Sequence, residues 1–262
     1  RITRQAIGEG AQFTPLSLRS YEIFQDLEKL TAKTLLRMIG GLMISGEGSI
    51  GVHGVADFFE NTLAAAKAFN IRHETLNSAE IRKRFPQFNI TNNDFAYYEY
   101  NAGYLFLDEC IRAQLMLAED NGAEIHRNEN VISVKESGNE VVVTTNHGEY
   151  KTQKVVLTAG PWLPDFISAD LSKYFKIERQ VQYWFDIESA YRSFSEDFPI
   201  FIWETPVGGH IYGFPAIDGA RGGFKLGSSK YNKIVTASTI DRVATAEETN
   251  LMFNQQVKPF FP

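Results

Sequence analysis

A chain of 262 residues, 44% hydrophobic and 22% charged, is long enough for one large folded domain or two interleaved ones. Its net charge of −6 gives no electrostatic footprint for nucleic acid. No apolar run approaches the ~20 residues that span a bilayer, and a single cysteine, Cys110, excludes an internal disulfide and suits a cytoplasmic setting. The chain opens on Arg1 rather than Met and closes on VKPFFP, so both ends look cut and a fragment is expected.

In chain order, TPLSLRSYEIFQDLEKL reads as a helix with Thr14 as cap and Pro15 at its first position. A strand is expected over 41–45. A helix from near Val55 follows, with Phe59, Leu63, Ala66 and Phe69 on one face. IRHETL reads as a short strand, and NSAEIRKRFP opens with Asn77 and Glu80 in capping-box spacing. AYYEYNAGYLF is extended, and LDECIRAQLMLAEDNG is a helix closed by Gly122. Strands are expected at 123–127, 130–136, 140–145 and 149–158, with turns at Ser137-Gly138-Asn139 and Asn146-His147-Gly148. Beyond residue 176 the pattern turns to strands, in ERQVQYWFDI, PIFIWET, HIYGFPAI and GGFKLGSS, and a last helix starts near Thr245. Helix–strand alternation giving way to antiparallel-looking strands predicts α/β plus α+β parts rather than one doubly wound sheet.

Gly46-Glu47-Gly48-Ser49-Ile50-Gly51 spells G-x-G-x-x-G. A dinucleotide fingerprint needs a buried strand before it and a helix already running at its third glycine. Here Val52-His53-Gly54 follows, which would fray a first turn, so a loop between strand and helix is the favoured reading. The five histidines (53, 73, 126, 147 and 210) are scattered without metal-ligand spacing. Cys110 reads as a small core residue on a helix.

RITRQAIGEG and the helix after it, GYLFLDECIRAQLMLAEDNGAEI, VVLTAGPW, ERQVQYWF, IYGFPAI and FKLG together resemble the monomeric sarcosine oxidases and N-methyltryptophan oxidases, within the D-amino-acid-oxidase-like FAD-dependent oxidoreductases. The likeness is collinear over essentially the whole chain. It implies part of a glutathione-reductase-like FAD-binding domain (1–35 and 100–176). Interleaved with it is a substrate domain (36–99 and 177–262) on a large antiparallel sheet with helices on one side. The family's dinucleotide fingerprint would lie upstream of Arg1 and a flavin-completing segment beyond Pro262. The isolated chain is therefore expected to bind FAD weakly and to be inactive alone.

For the residues, the resemblance implies that Arg1 lies over the flavin and that Arg4 holds a substrate carboxylate, for which a planar guanidinium is suited. Lys225 would stand beside the flavin and assist oxygen, because a fixed cation stabilises developing superoxide. Tyr212 would line the pocket, with Trp203 and Glu204 near it. Arg1, Ile2, Val131, Ala159, Gly160 and Trp162 would contact FAD. No metal is expected. In the family pattern Lys-Leu-Gly-x-His, Ser229 here replaces the histidine. The implied reaction is oxidation of the C–N bond of a secondary amine by O2, giving amino acid, aldehyde and H2O2 in a monomeric enzyme. Two alternatives stay open: a D-amino-acid oxidase or dehydrogenase relative with another amine or acceptor, and an inert binding module without flavin.

Overall fold

A computed structural model describes residues 1–46, 49, 51, 52, 55–188, 198–205, 209–229 and 233–262. The chain forms two compact units. The first comprises 1–114, 180–231 and 243–262, and the second comprises 115–179 and 232–242.

The first unit begins with the short strand β1 (Ile2–Thr3) and a 3-10 turn (Ala11–Phe13) that runs into α1 (Thr14–Thr31). Thr14 is itself the first helical residue, not the cap: its N–H already bonds to Ala11, so the 3-10 turn replaces a side-chain cap. Pro15 does sit in the first turn, where its missing N–H costs nothing. Strands β2 (Leu36–Met38) and β3 (Gly41–Gly46) follow.

Helix α2 (Phe58–Ala68) starts later than the expected Val55, because Val52 and Val55 form a β-bridge and Asp57 adopts φ 55°. It buries Phe58, Thr62, Ala65 and Ala66. Phe59 and Leu63 pack only at the margin of that stripe and Phe69 is exposed, so the inward face is rotated from the one expected.

Strand β4 (His73–Asn77) hands over to α3 (Ser78–Arg84) through the expected capping box. Asn77 Oδ1 accepts from the N–H groups of Ala79 and Glu80, and the Glu80 carboxylate accepts from the Asn77 N–H. After β5 (Asp94–Glu99) and β6 (Gly103–Leu105) comes α4 (Leu107–Asp120), left through Gly122 at φ 87°.

The second unit holds a three-stranded meander, β7 (Val131–Ser137), β8 (Glu140–Thr145) and β9 (Glu149–Thr152), then the single turn α5 (Ala169–Ser172) and β10 (Ile177–Arg179). The strand expected at 123–127 is not formed, and the last meander strand stops at Thr152 rather than 158. A strand is a paired state, and neither segment has a ladder partner among the described residues. Val156 accordingly stands 85% exposed.

Back in the first unit, β11 (Gln182–Phe185), β12 (Ile200–Glu204), β13 (His210–Phe214) and β14 (Phe224–Ser228) form as expected. ERQVQYWFDI is not one strand, however. It breaks after Arg179, and β10 pairs with β15 (Lys233–Val235) while β11 pairs with β14. Helix α6 (Ala246–Met252) carries a Thr245–Glu248 capping box.

Among the described residues, seven strands of the first unit make one sheet in the order β11-β14-β13-β12-β3-β5-β4. Neighbours run antiparallel except β12 and β3, which are parallel. The period-two alternation of side chains gives the sheet two different faces. On one face Leu42, Ile44, Tyr98, Phe201, Trp203, Ile211, Phe224 and Leu226 form the main core under α3 and α6. On the other, Met43, Tyr97 and Ile202 pack against α2, and beyond them the face carries Tyr212 and Lys225.

The main core is an aromatic lattice. Phe201 is fully buried, with its ring 5.2 Å from Phe88, 5.7 Å from Phe198 and 5.6 Å from Phe261. Phe201→Ala should lower stability by about 3–5 kcal/mol, measured by urea unfolding. A loss under ~1 kcal/mol would show that the lattice collapses to fill the hole.

Candidate active site

Two cavities of about 460 and 490 Å³ open within the first unit and share Arg1, Leu107, Phe214 and Lys225 as walls. The second is lined further by Arg4, Glu9, Gln182, Ile202, His210 and Tyr212. Arg1, Arg4, Tyr212 and Lys225, which the sequence reading singles out, thus meet around one space, with Ile2 in the same wall.

Arg1 and Arg4 reach it without a helical turn. β1 is held antiparallel to β6, with Ile2 opposite Tyr104, and the chain then bends at Gln5 and Ala6. That bend is clamped by a carboxylate. Glu99, fully buried at the end of β5, accepts from the Gln5 N–H at 2.6 Å, the Ala6 N–H at 3.0 Å and the Tyr97 hydroxyl at 2.9 Å. Burial raises the pKa of Glu99 on balance, and those three donors with the Arg4 charge offset only part of that rise. Glu99→Ala should cost about 3–5 kcal/mol of stability, because two backbone donors and a tyrosine hydroxyl lose a charged partner together. Thermal unfolding checks this, and an unchanged midpoint would remove the clamp from the account.

Arg4 leaves the bend with its guanidinium held on three sides. It donates to the Ala6 carbonyl at 2.7 Å and to Glu9 at 2.5 Å, and it lies 5.1 Å from the Phe58 ring centre. Lys225 sits on β14 between Phe224 and Leu226, whose side chains point into the core on the opposite face. Its ammonium is 4.8 Å from the Trp184 ring and 5.1 Å from the Phe214 ring. Desolvation lowers its pKa, and the aromatic faces favour the charged form in compensation.

Of the glycine-rich stretch, the described residues Gly46, Ser49 and Gly51 line neither cavity. Glu47, Gly48, Ile50, His53 and Gly54 lie outside the described residues. What is described already has its anion: the Gly51 N–H donates to Glu204 at 3.1 Å, and the Ser45 hydroxyl donates to the other Glu204 oxygen at 3.2 Å. Ser49 closes a turn onto Gly46, and Gly51, at φ 89°, has no room for a Cβ against the Val55 carbonyl. With α2 beginning only at Phe58, no helix N-terminus faces the third glycine. Among the described residues, Ser49 and Gly51 lie in neither helix nor strand, as the loop reading expects. Glu204 is therefore a latch for this loop. Trp203 does not line either cavity; it points the other way into the core, 4.9 Å from Phe260.

Cys110 is buried on α4 and donates weakly to the Leu35 carbonyl at 3.7 Å; burial raises its pKa, which keeps it an inert thiol. Val131, Ala159, Gly160 and Trp162 belong to the second unit. There Val131 starts β7 beside a register shift. Gly160 at φ 53° opens a 3-10 turn that includes the half-exposed Trp162, and a Cβ on Gly160 would meet no atom within 4 Å. Among the described residues no group of three His, Cys, Asp or Glu side chains could hold a metal ion, and no helix is long and apolar enough to cross a membrane.

His210 lines the second cavity and was passed over with the other histidines. Its signal was local: in HIY it stands two residues from Tyr212, hence on the same strand face.

The family model of FAD dependent oxidoreductases, DAO, matches residues 2–262. A monomeric sarcosine oxidase of Streptomyces avermitilis is 36% identical over 253 residues, covering 96% of this chain and 64% of the relative. One from Bacillus sp. strain B-0618 is 34% identical, covering 96% and 63%. An N-methyl-L-tryptophan oxidase of Yersinia pestis is 29% identical over 238 residues, covering 91% and 60%. The chain thus spans less than two thirds of the length of these relatives. Among solved structures, the open form of NikD, an unusual amino acid oxidase essential for nikkomycin biosynthesis, aligns with a TM-score of 0.75 at 22% identity, over 100% of this chain and 66% of that one. L-proline dehydrogenase from P. horikoshii aligns with a TM-score of 0.68 at 16% identity, over 98% and 66%. At those identities the likeness concerns the fold, a mixed sheet with helices.

Proposed function

Because the chain belongs to the DAO family of FAD-dependent oxidoreductases, we propose that it carries the substrate site of an oxidase acting on the C–N bond of a secondary amine of the N-methyl amino acid class. The overall change would be amine plus O2 plus water giving amino acid, aldehyde and hydrogen peroxide. The observation that carries the reading is the convergence of Arg1, Arg4, Tyr212 and Lys225 on one cavity of about 490 Å³, a size suited to a small ligand.

The residues present fit a flavin. Arg1 and Lys225 stand between the two cavities, and Trp184, Gly222 and Gly223 line the first. Two fixed cations suit a ring system that gains negative charge on reduction, and a flat aromatic wall suits its face. When bound, the flavin supplies the two-electron redox chemistry. The chain's own groups do the rest. Arg4 anchors the substrate carboxylate and so sets which carbon is presented. Tyr212 and Ile202 wall the cavity against water. Lys225 holds a positive charge where oxygen becomes reduced.

We further assign residues 1–35 and 100–176 to the cofactor side and 36–99 and 177–262 to the substrate side. This division by role cuts across the two compact units. The activity belongs to the protein with both sides complete, and the chain alone would bind FAD weakly. The setting would be cytoplasmic and the enzyme a monomer.

A D-amino-acid oxidase or dehydrogenase reading is separated by one assay. Sarcosine, N-methyl-L-tryptophan and D-alanine are supplied in air to the FAD-loaded protein, and peroxide is measured beside reduction of an artificial dye. Peroxide from the N-methyl substrates supports the proposal. Dye reduction without peroxide, or turnover of D-alanine alone, overturns it.

A further inference from the structure

One strand position under the second cavity lacks a side chain, and an aromatic ring takes the room. The register places Gln182, Gly227, Tyr212 and Ile202 side by side across β11, β14, β13 and β12, all on the cavity face of the sheet. Gln182, Tyr212 and Ile202 line the cavity, whereas Gly227 is buried and does not, because the Tyr212 ring lies over it. A Cβ at residue 227 would stand 2.9 Å from Tyr212 Cε1 and closer still to Cζ and the hydroxyl oxygen. Packed side chains do not approach so closely, so the phenol reaches this place only above a glycine. Its other neighbours leave the ring one way out. Phe214 and His210 flank it along the same face of β13, the His210 ring at 6.2 Å between centres. His210 is itself tied to β14, where the Ser229 N–H donates to its carbonyl at 3.1 Å and the Ser229 hydroxyl oxygen accepts from its N–H at 3.2 Å. Ile202 closes the side toward β12. A ring lifted off Gly227 therefore swings outward, into the cavity.

We propose that Gly227 is a positioning residue that sets substrate specificity: by letting the Tyr212 ring lie back over β14, it keeps open the part of the cavity that takes the substrate's side chain, so that N-methyl amino acids with a hydrocarbon side chain are accepted beside sarcosine. The proposal deepens the function given above and rests on it. Size points the same way. A cavity of about 490 Å³ falls among those that hold drug-sized ligands, and sarcosine, whose side chain is a hydrogen, leaves much of it unfilled. The wall beside that space is made by the Tyr212 ring and Ile202, which suits hydrocarbon. Gly227 touches no substrate in this scheme. It acts through the place it gives Tyr212, and one methyl group on it would spend cavity space on a displaced phenol.

The test compares kcat/KM of the FAD-loaded protein for N-methyl-L-leucine and sarcosine. The wild type should oxidise both, and Gly227→Ala should lower the ratio of the first to the second by about tenfold or more, the effect of losing a methylene's worth of room in an apolar pocket. Sarcosine itself should change only a few-fold. Calorimetric binding of 4-methylpentanoate and acetate, which need no turnover, should shift in the same direction. Tyr212→Ala removes the ring that the new methyl would push. The double variant Gly227→Ala/Tyr212→Ala should therefore show the ratio of Tyr212→Ala alone, and it serves where Gly227→Ala fails to fold. A lower unfolding midpoint with an unchanged ratio would make Gly227 purely structural and overturn the proposal, as would a double variant whose ratio differs from that of Tyr212→Ala. A wild type that oxidises sarcosine but not N-methyl-L-leucine overturns it while leaving the amine-oxidase reading intact. One that oxidises neither overturns both.

Discussion

Lys225→Gln should slow reoxidation by O2 about 10²–10³-fold while leaving anaerobic reduction by substrate within a few-fold. The first electron given to oxygen creates a negative charge, and Lys225 is the cation that both cavities share with Arg1. Glutamine keeps most of the side chain's length and packing against Trp184 and Phe214 but not the charge. Stopped-flow measurement of the two half-reactions separates the effects. A slowed reductive half-reaction with normal oxygen reactivity would assign Lys225 to substrate instead. The pH dependence has a definite sign. Desolvation lowers the Lys225 pKa from 10.5, so the charge is lost on the alkaline side at a lower pH than for an exposed lysine. Oxygen reactivity should therefore fall with rising pH before the ordinary lysine range is reached, and that limb should vanish in Lys225→Gln.

Arg4→Ala is expected to raise KM for an N-methyl amino acid about 10²-fold or more, with a smaller change in kcat. The guanidinium is buried, bonded to Ala6 and Glu9 and positioned by the bend that Glu99 clamps. Its removal also takes the Arg4 charge from beside the Glu9 carboxylate in the cavity wall, which makes that wall less favourable to a substrate carboxylate. Arg4→Lys should recover only part of the loss, because an ammonium cannot present the two-pronged donor set. An Arg4→Ala variant with unchanged KM would move the carboxylate anchor elsewhere, Arg1 being the next cation in the same wall.

Much of the fold was legible because the signals were local. The Asn77 and Thr245 capping boxes, the Pro15 start of α1 and the Gly122 exit from α4 are each set within a turn of chain. The misread elements are those that depend on distant partners. Residues 123–127 and 153–158 have strand-like composition but no ladder partner among the described residues. The ERQVQYWFDI stretch divides because its halves pair with β15 and β14 respectively. Thr14 looked like a cap until the preceding 3-10 turn satisfied its N–H.

The site was legible in a similar measure. Strand alternation set Lys225 on the face opposite Phe224 and Leu226, only the resemblance implied a place in the pocket, and the rejection of GEGSIG followed from glycine and helix-start chemistry. That Glu204 accepts from that loop could not be foreseen, since it lies 159 residues from Ser45 and 153 from Gly51. The Glu99 clamp on residues 5 and 6 was hidden for the same reason. The pairing of His210 with Ser229 needed the register of β13 and β14, which no residue type in either segment declares.

If this cavity presents an N-methyl amino acid to a flavin beside Lys225, as proposed, the amine alone must reduce that flavin. Anaerobic addition of sarcosine to the FAD-loaded protein tests it most directly. The flavin's visible absorption should bleach, and admitting air should restore it with one peroxide formed for each amine oxidised. An oxidised spectrum that persists with every N-methyl amino acid offered, in protein shown to hold its flavin, would contradict it.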